Sequence, residues 1–277
     1  KGVLKLRPSV SDVKVGQEFS VDVIGENVAD LYAFESIIAI DKGKYELAGF
    51  ENGAVKGMTS ACKEKDGKAY IAYTNTANAE GVYGSGVLAR LKLISKADGK
   101  VCLMEESATI IGTNLDVVDA LSTEASQLTE SVFEFKISLS EMAASATAED
   151  AGPDDNTASK VIDGDDKTFW ITPFDKSALL PQSLIIDLGG VYEVTRVRCM
   201  PCGSGAYGVI TSYSMYILDN ENNETKISEG KWIDDGKEKE FVFAKPSKAA
   251  KIKIEAKEGN GGLASMVGIK VFAASRE

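Results

Sequence analysis

Hydrophobic and polar positions alternate with a period of two along much of the chain. Phe19, Val21 and Val23 share one face of Glu18 to Ile24 (EFSVDVI), and the same alternation runs through Val3 to Leu6, Tyr70 to Tyr73, Val87 to Ile94 (VLARLKLI) and Ser131 to Ile137 (SVFEFKI). That period places alternate side chains on opposite faces of an extended strand, so these segments predict half-buried strands. Lys42-Gly43, Asn52-Gly53, Asp66-Gly67 and Asp98-Gly99 break the pattern, and Gly, Asn and Asp tolerate the positive φ of tight turns. Short strands spaced by roughly ten residues, with such turns between them, predict an all-β sandwich.

After Ile137 the pattern lapses. Met142 to Asp155 is rich in Ala, Ser, Thr and acids and leads into Gly152-Pro153. A boundary near Ser138 to Ser140 would separate a first domain, residues 1–137, from a second, residues 138–277. The second half predicts its own strands at Leu184 to Leu188, Val194 to Met200, Ser212 to Leu218, Glu240 to Phe243, Lys251 to Ala256 and Ile269 to Phe272, again a sandwich or jelly roll. Helical periodicity is weak everywhere except Thr157 to Val161. The fold class is therefore all-β, two β-sandwich domains in tandem.

A length of 277 residues suits two domains of ~140 residues, each large enough for its own core. Hydrophobic residues at 44% and charged residues at 26% give an ordinary globular balance. Against 31 Lys and Arg stand 42 Asp and Glu, a formal charge of -11. Such a field repels polyanions, so nucleic acid and anionic membrane are not expected partners. No run approaches the ~18 apolar residues that cross a bilayer, so no membrane insertion is expected. The chain starts at Lys1, as a mature or excised part of a longer protein would.

The absence of histidine removes Ser-His-Asp, Cys-His and His-zinc chemistry from this chain. A glycosidase would need paired acids in a cleft, ~5 to 9.5 Å apart; the acidic pairs Asp154-Asp155, Asp165-Asp166 and Asp234-Asp235 lie at turns, where solvated charge is the ordinary explanation. No enzymatic activity is expected. Cys62, Cys102, Cys199 and Cys202 are too few for a disulfide scaffold. The lone CxxC of Cys199 and Cys202 lacks the second pair of a metal ribbon, which leaves a local disulfide or free thiols; Cys62 and Cys102 could be bridged.

Val13 to Val23 (VKVGQEFSVDV), with Asn27-Val28 and Leu31-Tyr32-Ala33-Phe34, resembles the opening strands of bacterial cohesin domains. Ser85 to Ile94 (SGVLARLKLI), Gly99 to Leu103 and Thr109 to Val118 resemble their closing strands. The resemblance covers residues 1–137 and implies a nine-stranded jelly roll that binds a dockerin-type protein partner through one sheet face, or that serves as a spacer. Tyr73 and Tyr83 could supply aromatic anchors for such a face, or could pack in the core.

Ala158 to Trp170 (ASKVIDGDDKTFW), Leu184 to Val194 (LIIDLGGVYEV), Tyr213 to Ile217, Trp232 and Ala264 to Phe272 (ASMVGIKVF) follow in order the landmarks of the coagulation factor 5/8 type C, or discoidin, family, in particular the family 32 carbohydrate-binding modules. The resemblance covers about residues 141–273 and implies glycan binding. Asp163 and Asp165, bent together by Gly164, bring carboxylates close, and Thr168 adds a hydroxyl and a carbonyl; a hard cation takes six to eight such oxygens. The resemblance implies a structural calcium here, with further ligands from the Lys160 and Val267 backbones. Gly268 stands where the family carries a glutamate, which removes one charged ligand.

Galactose-binding members place His, Arg, Asn and an aromatic where this chain has Ile171, Cys202, Tyr207 and Leu263, so the usual galactose recipe is absent. Phe174 alone keeps its aromatic character. A rebuilt site would use Phe174, Tyr207, Ser204 and Asn260; alternatively Phe174 and Tyr207 cap the sandwich edge. Trp170 and Trp232 sit in or beside strands and are assigned to the core. The whole implies non-catalytic accessory modules of a secreted, extracellular or cell-surface bacterial carbohydrate-active protein, or a structural interaction protein with no glycan affinity.

Overall fold

A computed structural model of the chain describes residues 2–53, 55, 58–75, 81–128 and 132–276. It is all-β: strands connected by loops and three 3-10 turns, with no α-helix among the described residues. The strands form two compact units, Lys1–Phe135 and Lys136–Glu277, so the division falls two residues ahead of the expected one. Ser131, the expected start of the last strand of the first half, lies outside the described residues.

In the first unit, one sheet joins Val3–Pro8, Glu18–Leu31 and Val82–Ser95 antiparallel, with Tyr45–Asn52 pairing Ala89 to Ser95, and Val132 to Phe135 pairing Val82 to Ser85. The second sheet has the order Val117–Asp119, Met104–Ile111, Ala33–Ala39, Lys68–Asn75, Met58–Lys65. The alternation seen in the sequence fixes which side chains turn inward: Leu4, Val21, Val23 and Leu91 from one sheet meet Phe34, Ile38, Ile71 and Tyr73 from the other. Each large apolar side chain so buried stabilises the unit by about 1.5–3 kcal/mol. Asp66 and Gly67 both adopt positive φ, 52° and 76°, as a two-residue hairpin requires. Gly53 is not a turn residue of that kind: a Cβ on it would lie 2.1 Å from the Val87 carbonyl, so glycine is there for close approach.

Tyr73 is only 4% exposed, and its ring packs 4.8 Å from that of Phe34. It belongs to the core and offers nothing to a docking partner. Tyr83 is half-buried.

In the second unit Gly268–Arg276, Gln182–Met200, Lys239–Gly259, Ile210–Leu218 and Glu224–Lys231 form an antiparallel sheet in that order, and Ala143–Ala146 adds to Leu184 to Asp187. Pairs of strands expected to be separate are continuous here. Leu184 to Leu188 and Val194 to Met200 lie on one strand, bent by register shifts between Asp187 and Tyr192 and between Val194 and Arg196. Glu240 to Phe243 and Lys251 to Ala256 likewise share one strand. A two-residue ribbon pairs Trp170 with Met266 and Ile171 with Ser265. Thr157 to Val161, the one helical hint, becomes a single 3-10 turn at Ala158–Ile162.

Trp170 is fully buried and donates its indole N–H to the Ala148 carbonyl at 3.0 Å. Trp232 is half-buried and stacks on Tyr213 with ring centroids 4.2 Å apart. All four cysteines are free thiols. Cys199 is buried and Cys202 half-buried, accepting a hydrogen bond from Ser265 Oγ at 3.3 Å.

Candidate ligand-binding loops and acidic turn

The ribbon between Trp170–Ile171 and Ser265–Met266 organises two loop groups. Beyond Ile171 the chain turns out through Thr172, which is fully buried: its N–H donates to the Ala264 carbonyl at 2.9 Å and its Oγ1 accepts from the Ala264 N–H at 3.0 Å. Phe174 follows and is half exposed. On the other side of the same segment, the Asn260 N–H donates to the Val209 carbonyl at 3.0 Å and the Gly208 N–H to the Asn260 carbonyl at 2.9 Å. Tyr207, 69% exposed, lies across Gly261. Gly261 has φ 70° and a Cβ on it would come within 2.8 Å of the Tyr207 ring, so glycine is required on both counts. Phe174 and Tyr207 therefore project from separate loops anchored to the 259–265 segment.

Sequence reasoning assigned Ser204 and Asn260 as polar ligand contacts. Both are held to Asp234, a residue not singled out for the site. Asn260 Nδ2 donates to Asp234 Oδ2 at 2.7 Å and to the Ala206 carbonyl at 3.2 Å, and Ser204 Oγ donates to the Asp234 carbonyl at 3.0 Å. The Gly205 N–H reaches the Asp234 carboxylate at 3.0 Å. The Asn260 hydrogen bond, with the Gly205 N–H, holds the Asp234 carboxyl below the usual range. The Asp234-Asp235 turn, expected to carry solvated charge, also ties two loops together; the signal in the sequence that marks it is its place next to Trp232.

Among the galactose-type positions, Ile171 and Leu263 are buried at 1% and 2% exposure and contribute packing. Tyr207 and Phe174 are the two that reach into solvent.

The acidic turn lies elsewhere in the same unit, at the end of the Ala158–Ile162 turn. Asp163 Oδ1 accepts from the Asp165 N–H at 2.9 Å, and Asp163 Oδ2 accepts from Thr168 Oγ1 at 2.8 Å. Asp165 Oδ1 accepts from the Lys167 N–H at 2.9 Å. The loop shares a hollow of about 240 Å³ with Val161, Val267 and Gly268, because the Trp170–Met266 pair and the Val267 N–H to Met200 carbonyl bond (2.9 Å) draw the two segments together. The residues fit an oxygen-ligated cation only in part: Asp165 and Val267 line this hollow, whereas Asp163 and Thr168 are joined to each other by a hydrogen bond. No group of three His, Cys, Asp or Glu side chains converges among the described residues. The Lys160 ammonium pairs with Asp155 at 2.9 Å, which raises its pKa, with Asp163 and Asp165 adding to the effect.

Residues 142–269 match the F5/8 type C domain family. This part of the chain is an F5/8 type C domain. Among solved structures, the family 32 carbohydrate-binding module of C. perfringens NanJ, in complex with galactose, is 39% identical, with 50% of this chain and 98% of that one covered and a TM-score of 0.48. CpGH89CBM32-5 of Clostridium perfringens, in complex with GalNAc-β-1,3-galactose, is 37% identical over 50% of this chain and 99% of its own, with a TM-score of 0.47. An A type blood N-acetyl-α-D-galactosamine deacetylase of Flavonifractor plautii is 28% identical over 187 residues, 65% of this chain and 24% of that protein. The chain thus spans about a quarter of that relative's length. The aligned stretch is longer than the F5/8 type C domain and takes in part of the first unit. No described helix is long and apolar enough to cross a membrane.

Proposed function

We propose that the chain is a non-catalytic accessory part of a secreted bacterial carbohydrate-active protein, in which the F5/8 type C domain binds a glycan at its Phe174 and Tyr207 loop end. The observation that carries this reading is the exposure of two aromatic rings, 50% and 69%, on loops tied by hydrogen bonds to one backbone segment. Aromatic faces receive the apolar face of a pyranose, and polar rims read its hydroxyls. The family and the sugar-bound modules it resembles support the same reading. Because Ser204 and Asn260 direct donors to Asp234 and Ala206, they serve this site chiefly by fixing the loops, with Asp234 as the polar group next to the platform.

The first unit serves as a dockerin-type protein-binding domain or a spacer. Its exposed sheet face carries Glu35, Tyr70, Ala72 and Thr74. Tyr70 is thereby the aromatic anchor available to a partner in place of Tyr73.

Calcium, in this proposal, is held by the Asp163 and Asp165 carboxylates, Thr168, and the carbonyls of Lys160 and Val267, and its role is to staple the acidic turn to the C-terminal strand. With Gly268 supplying no carboxylate, affinity is low, and the Asp163 cap keeps the loop shaped without the ion.

The test is a glycan array on the full chain, with calcium and with chelator, beside Phe174→Ala and Tyr207→Ala. Binding lost in both variants at unchanged melting temperature supports the loop end as the site. An array with no hits from a folded chain overturns the glycan reading in favour of a structural interaction protein.

A further inference from the structure

We infer that the Asp234 carboxylate is the specificity-determining group of the loop end and that it selects a cationic saccharide, a hexosamine whose amine is free. This inference rests on the glycan reading above and adds the chemical class of the ligand. Neutral sugars present hydroxyls that both give and accept hydrogen bonds, so sites that read them supply donors as well as acceptors. Around Tyr207 the donors point inward. Asn260 Nδ2 gives its hydrogens to Asp234 and Ala206, Ser204 Oγ gives its hydrogen to the Asp234 carbonyl, and the Gly208 N–H goes to the Asn260 carbonyl. The polar groups at this rim are therefore rich in acceptors.

The Asp234 carboxylate has capacity left. A carboxylate offers about four lone-pair sites. The Gly205 N–H lies 3.0 Å from each Asp234 oxygen and Asn260 Nδ2 2.7 Å from Oδ2, and Ser204 adds a weaker side-chain pull, so Oδ1, which among these bonds takes only the shared Gly205 N–H, is the oxygen with capacity to spare. Among the described residues the carboxylate has no ion pair. The segments packed on Asp234, residues 203–206 and 259–262, contain no titratable side chain. On its own loop, Asp235 faces it as a second carboxylate, occupied by an ion pair with Lys239 and by the Lys237 N–H. Asp234 is thus a carboxylate with acceptor capacity left, in the loop group that also carries the exposed Tyr207 ring, whose face carries the negative end of its quadrupole. An ammonium is attracted to both, by a charge-assisted hydrogen bond to the carboxylate and by the π face of the ring.

The experiment is calorimetric titration of the full chain with galactosamine, N-acetylgalactosamine and galactose at pH 6 and pH 9. Galactosamine is expected to bind at least roughly tenfold tighter than the two neutral sugars at pH 6, the size of one charge-assisted hydrogen bond. At pH 9, above the ~8 at which an α-amino group loses its proton, the preference disappears. Asp234→Asn removes the preference for galactosamine over the two neutral sugars at pH 6. The wild-type pH profile stands without the variant, so loosening of the loops in Asp234→Asn, read from its melting temperature, does not blunt the test. Neutral sugars bound as tightly as galactosamine, or a preference that survives pH 9, overturns the inference and leaves the glycan reading intact. An empty array together with no heat from any of the three sugars overturns both.

Discussion

Glu105 in the first unit and Asp234 in the second are both carboxyl groups held by hydrogen-bonded neighbours, yet they are pushed in opposite directions. Glu105 is 7% exposed, accepts a hydrogen bond from Ser36, and leaves Oε2 buried without a partner. Burial lifts its pKa to about 7. Asp234 stands at a loop surface and receives N–H groups from Asn260 and Gly205, which hold it ionised. The lesson is that desolvation with one donor makes a carboxyl a neutral packing element, whereas solvent with several donors makes it a fixed charge that a ligand can use.

The largest effect expected from this contrast is on the first unit's stability against pH. The folded pKa of about 7 lies above the ordinary value of 4.5, so folding keeps a proton that the unfolded chain releases. Stability from this group is full below pH ~4.5 and is lost as pH rises through 7, by up to about 3 kcal/mol. Glu105→Gln should flatten that loss in urea melts between pH 5 and 8; a wild-type profile already flat in that window breaks the comparison.

Next in size is Asn260→Ala. It takes two hydrogen bonds from the loop junction and should cost about 1–3 kcal/mol and abolish saccharide binding, read by thermal unfolding and by calorimetry. Gly261→Ala should cost about 1–2 kcal/mol, from positive φ and the clash with the Tyr207 ring. It displaces Tyr207 and weakens binding more than folding. The smallest effect concerns calcium. Gly268→Glu restores a charged oxygen beside the acidic turn and should lower the calcium concentration at which the melting temperature rises by roughly tenfold, while Asp163→Ala should remove any calcium response.

The hydrophobic alternation of EFSVDVI and VLARLKLI gave those strands and their inward faces correctly, because a period of two is a local property of extended chain. Met58–Lys65 (MTSACKEK) and Glu224–Lys231 (ETKISEGK) carry no such pattern. They are edge strands, and an edge strand tolerates polar residues and lysines because one side of it faces water. Residue order also could not tell Tyr73 from Tyr70, one in the core and one on the open face of the same strand.

What the sequence determined by itself was the all-β class and the F5/8 type C pattern of 142–269, since periodicity and ordered motifs are written in neighbouring residues. Only the tertiary structure decided the working parts of the loop end. Asp234 meets Asn260 across 26 positions and Gly205 across 29, and the roles of Ser204 and Asn260 follow from that meeting. A hydrogen bond between distant residues depends on where the sheet delivers each loop, which no local pattern encodes.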